Sequence, residues 1–488
     1  MAKLFFRDCR PTLWGAIIVL WLKIIWQLLR HDRLRAVSKG RVPDSCLWLF
    51  GLLRHRDRDL SWAGFLQSLG PSFVKFGQSL ATRPDLIGEA AARELARLQD
   101  RMPPFSASVA RATVAAELGS SVEQLFGEFN EQPIAAASIA QVHFAVTHDG
   151  QEVAVKILRP NIERLLERDL RFFATSARWV ERLKPSLRRL KLTAVVAVLA
   201  ESVRYELDLR LEAAAASELA ENFKNDPGFT VPKVYWPLTA RRVAVFERVK
   251  GIRVDDLSGL NAAGIAPRLV MTNAAEAFFN QVFRDGFFHA DLHPGNIFVG
   301  PQGQIIAVDF GIMGRVDRQS RIFLADMLIG FLSGNYAQVA EVHFAAGYIP
   351  PDQSRENFAL ACRAIGEPLL GKNLGEISLG RLLGQLFQVT EQFAMETQPQ
   401  LLLLQKTMII AEGVGRMLDP SINMWSLAEP LIIDWIKTNR GLQARLNDTG
   451  LSLFRLLEIL PSELSRLQNG IKLHPDTVKL LAAELKRR

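Results

Sequence analysis

"HADLHPGNIF", residues 289–298, gathers two histidines, an aspartate and an asparagine around a Pro-Gly turn. Three chemistries use such a set: a metal site, a nucleic-acid contact, or the catalytic loop of a phosphoryl-transfer enzyme. The surroundings separate them. Asp291 and Asn296 stand on a loop that runs into the short strand pattern "IFV". A second strand pattern, "QIIAV", delivers Asp309-Phe310-Gly311. Two carboxylates and an amide at adjacent strand ends can hold magnesium against nucleotide phosphates. A His–Asp–His metal site would need a further ligand that the spacing does not supply. His289 and His293 are therefore expected to be structural, with His293 bracing the turn by hydrogen bonding.

Protein kinases place a catalytic Asp, a metal-binding Asn and the Asp of D-F-G in this order. Upstream, "VAVK" ends in Lys156 on a strand pattern that follows a hairpin turn at Asp149-Gly150. A kinase fold puts there the lysine that contacts the α- and β-phosphates. Each match alone is weak, since a strand lysine usually points into solvent. In order, with suitable patterns around each, they predict an α+β, protein-kinase-like two-lobed fold. It carries an N-terminal helical extension and a mostly helical C-terminal lobe. One departure stands out. Where a glycine-rich phosphate loop is expected, the chain reads "PIAAASIAQVH", 133–143. Alanine largely forbids the positive φ that glycine allows, so this loop must hold nucleotide differently.

Composition agrees without choosing. The 488 residues are too many for one small core. Lys and Arg number 59 against 51 Asp and Glu, for a net charge of +8. That suits an anionic ligand, a nucleic acid or a membrane surface. Nucleic-acid binding rests on this charge alone, with no recognised module, and is not expected. Cys9, Cys46 and Cys362 form no C-x-x-C pair, which suggests a reducing compartment with no structural disulfide or zinc site.

The punctuation of the chain divides it into a membrane-proximal segment 1–59, a helical extension 60–129, a small lobe 130–250, a large lobe 251–440 and a helical tail 441–488. Within the first, "LWGAIIVLWLKIIWQLL", 13–29, holds Lys23 as its sole charge and is flanked by arginines. Trp and Arg at such borders suit an anionic interface, so an interfacial helix on the cytoplasmic face of the cell membrane is expected, with a spanning helix and an ordinary buried helix as the alternatives. A signal peptide is disfavoured because basic residues follow the apolar run. The run "LLLLQKTMII", 401–410, broken by Gln405 and Lys406, is expected in the core of the large lobe.

Two further clusters carry charge. "FVKFGQSLATRPDLI", 73–87, puts Lys75 and Gln78 on one helix face, which on spacing alone fits a solvated amphipathic helix. The helical pattern 193–224 embeds Glu206, Asp208 and Glu212 among Ala and Leu. One regular helix would not aim all three at a single cation, which leaves room for two partners. A solvated acidic stripe is the bland account; paired buried charges are the other, with Lys75 and Lys156 as the available cations.

Taken together, "LGPSFVKFGQSLATRPDL", "PIAAASIAQVH", "VAVKILRP", "YELDLRLEAA" and "FFHADLHPGNIF…VDFG" resemble the UbiB family of atypical kinase-like proteins over roughly residues 60–420. The resemblance implies a kinase-like fold with ATPase activity, the cofactors ATP and Mg2+, a role in ubiquinone biosynthesis, and membrane association. It implies as partners an anionic membrane surface, quinone precursors or other ubiquinone biosynthesis proteins. It also implies residue roles. Lys75 and Gln78 match a K-x-G-Q motif whose helix covers the protein-substrate site. Ala135, Ala136, Ala137 and Ser138 match an Ala-rich nucleotide loop. Lys156 matches the phosphate lysine, Glu212 its partner, and Glu206 with Asp208 an E-x-D motif that faces Lys75. Asp291 matches the catalytic position, and Asn296 and Asp309 the metal-binding ones. Many bacterial members end in a pair of hydrophobic helices, whereas this chain reads "KLLAAELKRR". Two alternatives stay open: a small-molecule phosphotransferase of the aminoglycoside or choline kinase type, which lacks the "KFGQ" extension, and a non-catalytic nucleotide-sensing scaffold.

Overall fold

The computed structural model describes residues 62–81, 102–183, 192–367 and 399–419, with a few isolated positions besides. The segment 1–59 and the tail 441–488 lie outside the described residues, as does the "TRPD" stretch at 82–85. The expected location, the cytoplasmic face of a membrane with 13–29 as anchor, is corrected. Among the described residues no helix is long and apolar enough to cross a membrane. The segment that carried the expectation is not among them, so the anchor has no support.

The small lobe is built on an antiparallel sheet. Its strands are β1 (Glu128–Phe129), β2 (Ala135–Ala136), β3 (Ala140–Val146), β4 (Glu152–Leu158) and, later in the chain, β6 (Val243–Glu247). The order is β1-β3-β4-β6, with β2 also on β3. Gly150, at φ +81°, turns the β3–β4 hairpin where an L side chain would be strained. Strand β4 alternates as its period of two requires. Val153, Val155 and Ile157 are fully buried against helix α3 (Ala107–Leu118) in one apolar cluster. Leu158 joins Ala140 and Ala244 in a second cluster on the other face, towards which Lys156 also alternates. Helix α3 thus shares a core with the sheet although it precedes residue 130. Strand pairing also starts before residue 130, because two-residue β1 finds register on β3 through Glu128↔Val146.

The second face is covered by helices. These are α1 (Trp62–Leu69), α2 (Pro71–Ala81), α4 (Ile162–Leu183), α5 (Leu192–Glu206) and α6 (Leu209–Asn222). The single helix expected over 193–224 is corrected to two. Asp208 leaves helical geometry at φ −126°, ψ 94°, and its side chain accepts from Arg210 N as the N-cap of α6.

The large lobe packs helix α7 (Pro267–Phe279) beneath short strands. Strands β5 (Phe229–Thr230), β7 (Ile252–Arg253), β9 (Ile297–Val299) and β10 (Ile305–Ala307) form one sheet in the order β5-β10-β9-β7. Strands β8 (Phe287–His289) and β11 (Met313–Arg315) form a second. Helices α8 (Arg318–Leu332), α9 (Tyr336–Ala345), α10 (Arg355–Gly366) and α11 (Pro399–Leu418) follow. Leu404 and Met408 of α11 enter the main core with Met271 of α7.

Helix α9 supplies a pH dependence. His343 is buried, its Nδ1 donating to Val339 O at 2.8 Å, and burial pushes its pKa down to about 4. An unfolded histidine titrates near 6.5. The unfolded chain therefore takes up this proton first. The stability contribution is intact above pH 6.5, falls as pH drops towards 4, and is fully lost below. The expected loss is about 3 kcal/mol over that window. His343→Phe should flatten this limb of a denaturation-versus-pH curve; an unchanged slope would contradict the assignment.

Candidate active site

The loop 289–298 is held by its own histidines. His289 is fully buried and bonded at both ring nitrogens. Nδ1 accepts from Asp291 N at 3.1 Å, so Nε2 carries the proton and donates to Val308 O at 3.2 Å. Burial lowers its pKa, which keeps the ring neutral. His289 thus ties the Asp291 loop to the segment that carries Asp309. His293 Nδ1 accepts from Gly295 N at 3.0 Å and braces the turn.

Asn296 and Asp309 flank one strand pair. Strands β9 and β10 pair Ile297 with Ala307, and Val308 N donates to Asn296 O at 3.0 Å. Asn296 is buried, and its Nδ2 donates to Asp291 O at 3.1 Å. That leaves its amide oxygen as the acceptor of this side chain. Asp309 sits at φ +65°, in the left-handed region that non-glycine residues adopt sparingly. Such backbone strain clusters at functional sites.

Across the cleft, Lys156 Nζ lies 2.7 Å from Glu212 Oε1 and 2.8 Å from Asp309 Oδ1. Burial opposes the ammonium, but the Asp309 and Glu212 carboxylates outweigh it and push its pKa up. Asp309 is half exposed, yet the Lys156 charge holds its carboxyl well below the usual range, and Lys75 adds to the effect. Burial pushes Glu212 the other way, upward, against the attraction of Lys156. The cleft thus holds an ionised Asp309 between cations.

Lys75 makes the second pair, 2.6 Å from Glu206 Oε2, with both side chains largely buried. Helix α2 is pressed onto α4 by Phe73 against Phe173 and by Phe76 stacked on Phe173. Ser72 Oγ donates to buried Asp169 at 2.6 Å. On another side, Gly77 lets α2 lie close to α1 and to Leu98: a Cβ there would come within 2.4 Å of Leu98 and 2.6 Å of Leu66. Gln78 lies on the same helix, half buried. The solvated-helix account of Lys75 is therefore corrected. Asp208 stands at the break between α5 and α6. It caps α6 and pairs with Arg210 at 2.6 Å.

The Ala-rich loop needs no left-handed residue. Ala135 and Ala136 are extended in β2, and no residue from 135 to 138 has positive φ. Met102 N donates to Ala136 O, and Arg159 Nε to Ala137 O. Ser138 is fully buried beneath the loop. Gln141 and His143 of the same motif are structural. Gln141 bonds both the N–H and the carbonyl of Phe105, and sits 2.7 Å from His143 Nε2. They clamp the 102–105 segment behind the loop.

One charged residue escaped the sequence reading. Lys406 Nζ lies 2.7 Å from Asp291 Oδ1. It appeared as an interruption of an apolar run; a cation retained inside "LLLLQKTMII" was the available signal.

The donor set fits magnesium. One carboxylate and one amide are too few to cage a metal, and among the described residues no three His, Cys, Asp or Glu side chains cluster for one. Magnesium binds through one or two carboxylates completed by phosphates and water.

Comparison with known proteins bears on the family and the fold. Residues 97–343 match the ABC1 atypical kinase-like domain, and residues 362–423 the UbiB helical domain. The chain is 44% identical over 380 residues to a probable protein kinase UbiB of Marinobacter nauticus, spanning 77% of this chain and 70% of that one. It is 42% identical over 413 residues to that of Sodalis glossinidius, spanning 84% and 76%. Among solved structures it is similar to the Rv3197–erythromycin complex from Mycobacterium tuberculosis. That likeness has TM-score 0.50 and 26% identity, and covers 82% of this chain and 98% of that one. A kinase-like α+β fold, a Lys–Glu pair lining its cleft and these relatives lead to one assignment: the chain belongs to the UbiB family of atypical kinase-like proteins.

Proposed function

We propose that this chain binds MgATP in the cleft, hydrolyses it, and in doing so supports ubiquinone biosynthesis, together with quinone precursors or other proteins of that pathway. The observation that carries the proposal is Lys156 held between Glu212 and Asp309, facing a loop that presents Asp291 and Asn296. Lys156, oriented by Glu212, positions the α- and β-phosphates. Asn296 and Asp309 hold magnesium, which when bound neutralises phosphate charge. Asp291 orients the attacking water, or another acceptor, and takes its proton as general base. The loop 135–138 covers the nucleotide with extended backbone.

Helix α2 closes the cleft to protein substrates. Lys75 is committed to Glu206, beside the Lys156 triad, so a peptide laid across the site would meet this helix. No appreciable phosphorylation of added proteins is expected from the wild type. Lys75→Ala leaves Glu206 buried without its cation, which costs about 3 kcal/mol. It also removes a positive charge that acts on Asp309. Nucleotide affinity, ATP turnover and autophosphorylation should therefore change in Lys75→Ala. If all three match the wild type in the same buffer, the closed-cleft account fails. The ubiquinone role is tested by quinone profiling of a deletion strain. Wild type should restore the profile and Asp309→Asn should not; equal rescue would separate the role from nucleotide.

A further inference from the structure

Asp291 is paired with a cation that its own loop does not provide. Residues 289–298 contain no Lys or Arg. His289 is buried and both its ring nitrogens are bonded, one accepting from Asp291 N and the other donating to Val308 O. The Nδ1 of His293 is tied to Gly295 N. Lys75 pairs with Glu206, and Lys156 lies between Glu212 and Asp309. The cation beside Asp291 comes instead from α11, where Lys406 Nζ is 2.7 Å from Asp291 Oδ1.

The helix holds this ammonium in place. Leu404 and Met408, one turn apart, are buried in the large-lobe core. Thr407 is fully buried, its hydroxyl donating to Leu403 O at 2.9 Å. Lys406 therefore leaves α11 at the rim of that buried face, with a third of its side chain open. An ammonium has three donors, and Asp291 takes one. The other two are available to oxygens placed beside Asp291.

We infer that Lys406 is a catalytic residue of this cleft, bridging Asp291 and the γ-phosphoryl group of ATP. The inference rests on the proposed nucleotide site. In hydrolysis, the water oxygen bonds to Pγ while the bond from Pγ to the β-bridging oxygen breaks. The electron pair stays on ADP, Asp291 takes the water proton, and inorganic phosphate leaves. Charge spreads over the equatorial oxygens of the moving group, next to an anionic base. A cation shared by both lowers that repulsion and is worth most in the transition state. It also distinguishes ATP, which has a γ-phosphoryl group, from ADP, which has none. Because Lys406 lies in the region matching the UbiB helical domain, the catalytic site is complete only with that domain docked.

The test compares full-length wild type, Lys406→Met, Lys406→Gln, Lys406→Arg and Asp309→Asn, measuring kcat and KM for MgATP and calorimetric affinity for MgATP and MgADP. Lys406→Met and Lys406→Gln should lower kcat by about a hundredfold and weaken MgATP by about tenfold. MgADP affinity should stay within about twofold of wild type, which also reports that the cleft is folded. Lys406→Arg should recover part of kcat. Equal kcat in wild type and both neutral variants would overturn the inference, as would a faster variant, which would make the ammonium a mask on Asp291. Parallel loss of MgADP and MgATP affinity in both neutral variants would reduce Lys406 to a structural role. If Asp309→Asn loses MgATP while the neutral variants behave as wild type, this inference alone fails. If wild type binds no MgATP, the nucleotide reading fails with it.

Discussion

Asp309→Asn is expected to weaken MgATP binding by about a hundredfold, measured by calorimetry. Magnesium is a hard cation, and the cleft offers it one carboxylate and one amide. The substitution removes the only protein anion of that pair. It changes no volume, and asparagine tolerates the φ of +65° as well as aspartate does. The effect should therefore be electrostatic. ATP without magnesium provides the control. The variant lacks an anion next to the phosphates, so metal-free ATP should bind no worse than to wild type. Equal MgATP affinity in both proteins would sink the metal assignment.

Lys156→Met is expected to destabilise the fold by about 3–5 kcal/mol at neutral pH. Glu212 is buried and loses its cation, while Asp309 loses the partner that holds its charge. The deficit should depend on pH with a definite sign. Burial already raises the Glu212 pKa in the folded protein, and removing the ammonium raises it further. A carboxyl whose folded pKa is raised contributes stability below its unfolded value of 4.5, and that is lost as pH rises through the folded value. The variant should therefore come closer to wild type as pH is lowered towards 4.5. Adding Glu212→Leu should recover most of the loss, because a missing pair costs far less than half of one. Denaturant midpoints of the two single variants and the double variant decide this. A double variant no more stable than Lys156→Met would mean that the two residues do not interact.

Much of this site was legible because its spacing is local. Asp291 and Asn296 share one loop, and Lys156 follows a hairpin signalled by Asp149-Gly150. The relation of Glu206 to Glu212 was only half legible. Their positions on an apolar helix implied two partners, but the break at Asp208 depends on a cap that periodicity does not report. The carboxylate of Asp208 serves Arg210 and the α6 N-terminus, a role that only the break reveals. Strands β5, β7, β8 and β11, two or three residues long, left no alternation to read. They exist because neighbouring strands hold them. Lys406 was hidden for a different reason: its partner lies 115 residues earlier in the chain, and only tertiary packing brings the two together.

The central claim is that this cleft performs phosphoryl transfer. Steady-state MgATP turnover by full-length wild type and Asp291→Asn tests it most directly. Asparagine keeps the size of the side chain but cannot take a proton from water. Turnover should fall by about a hundredfold to ten-thousandfold, the usual contribution of a positioned general base, with MgATP affinity within a few-fold of wild type. Equal turnover in the two proteins would contradict the account.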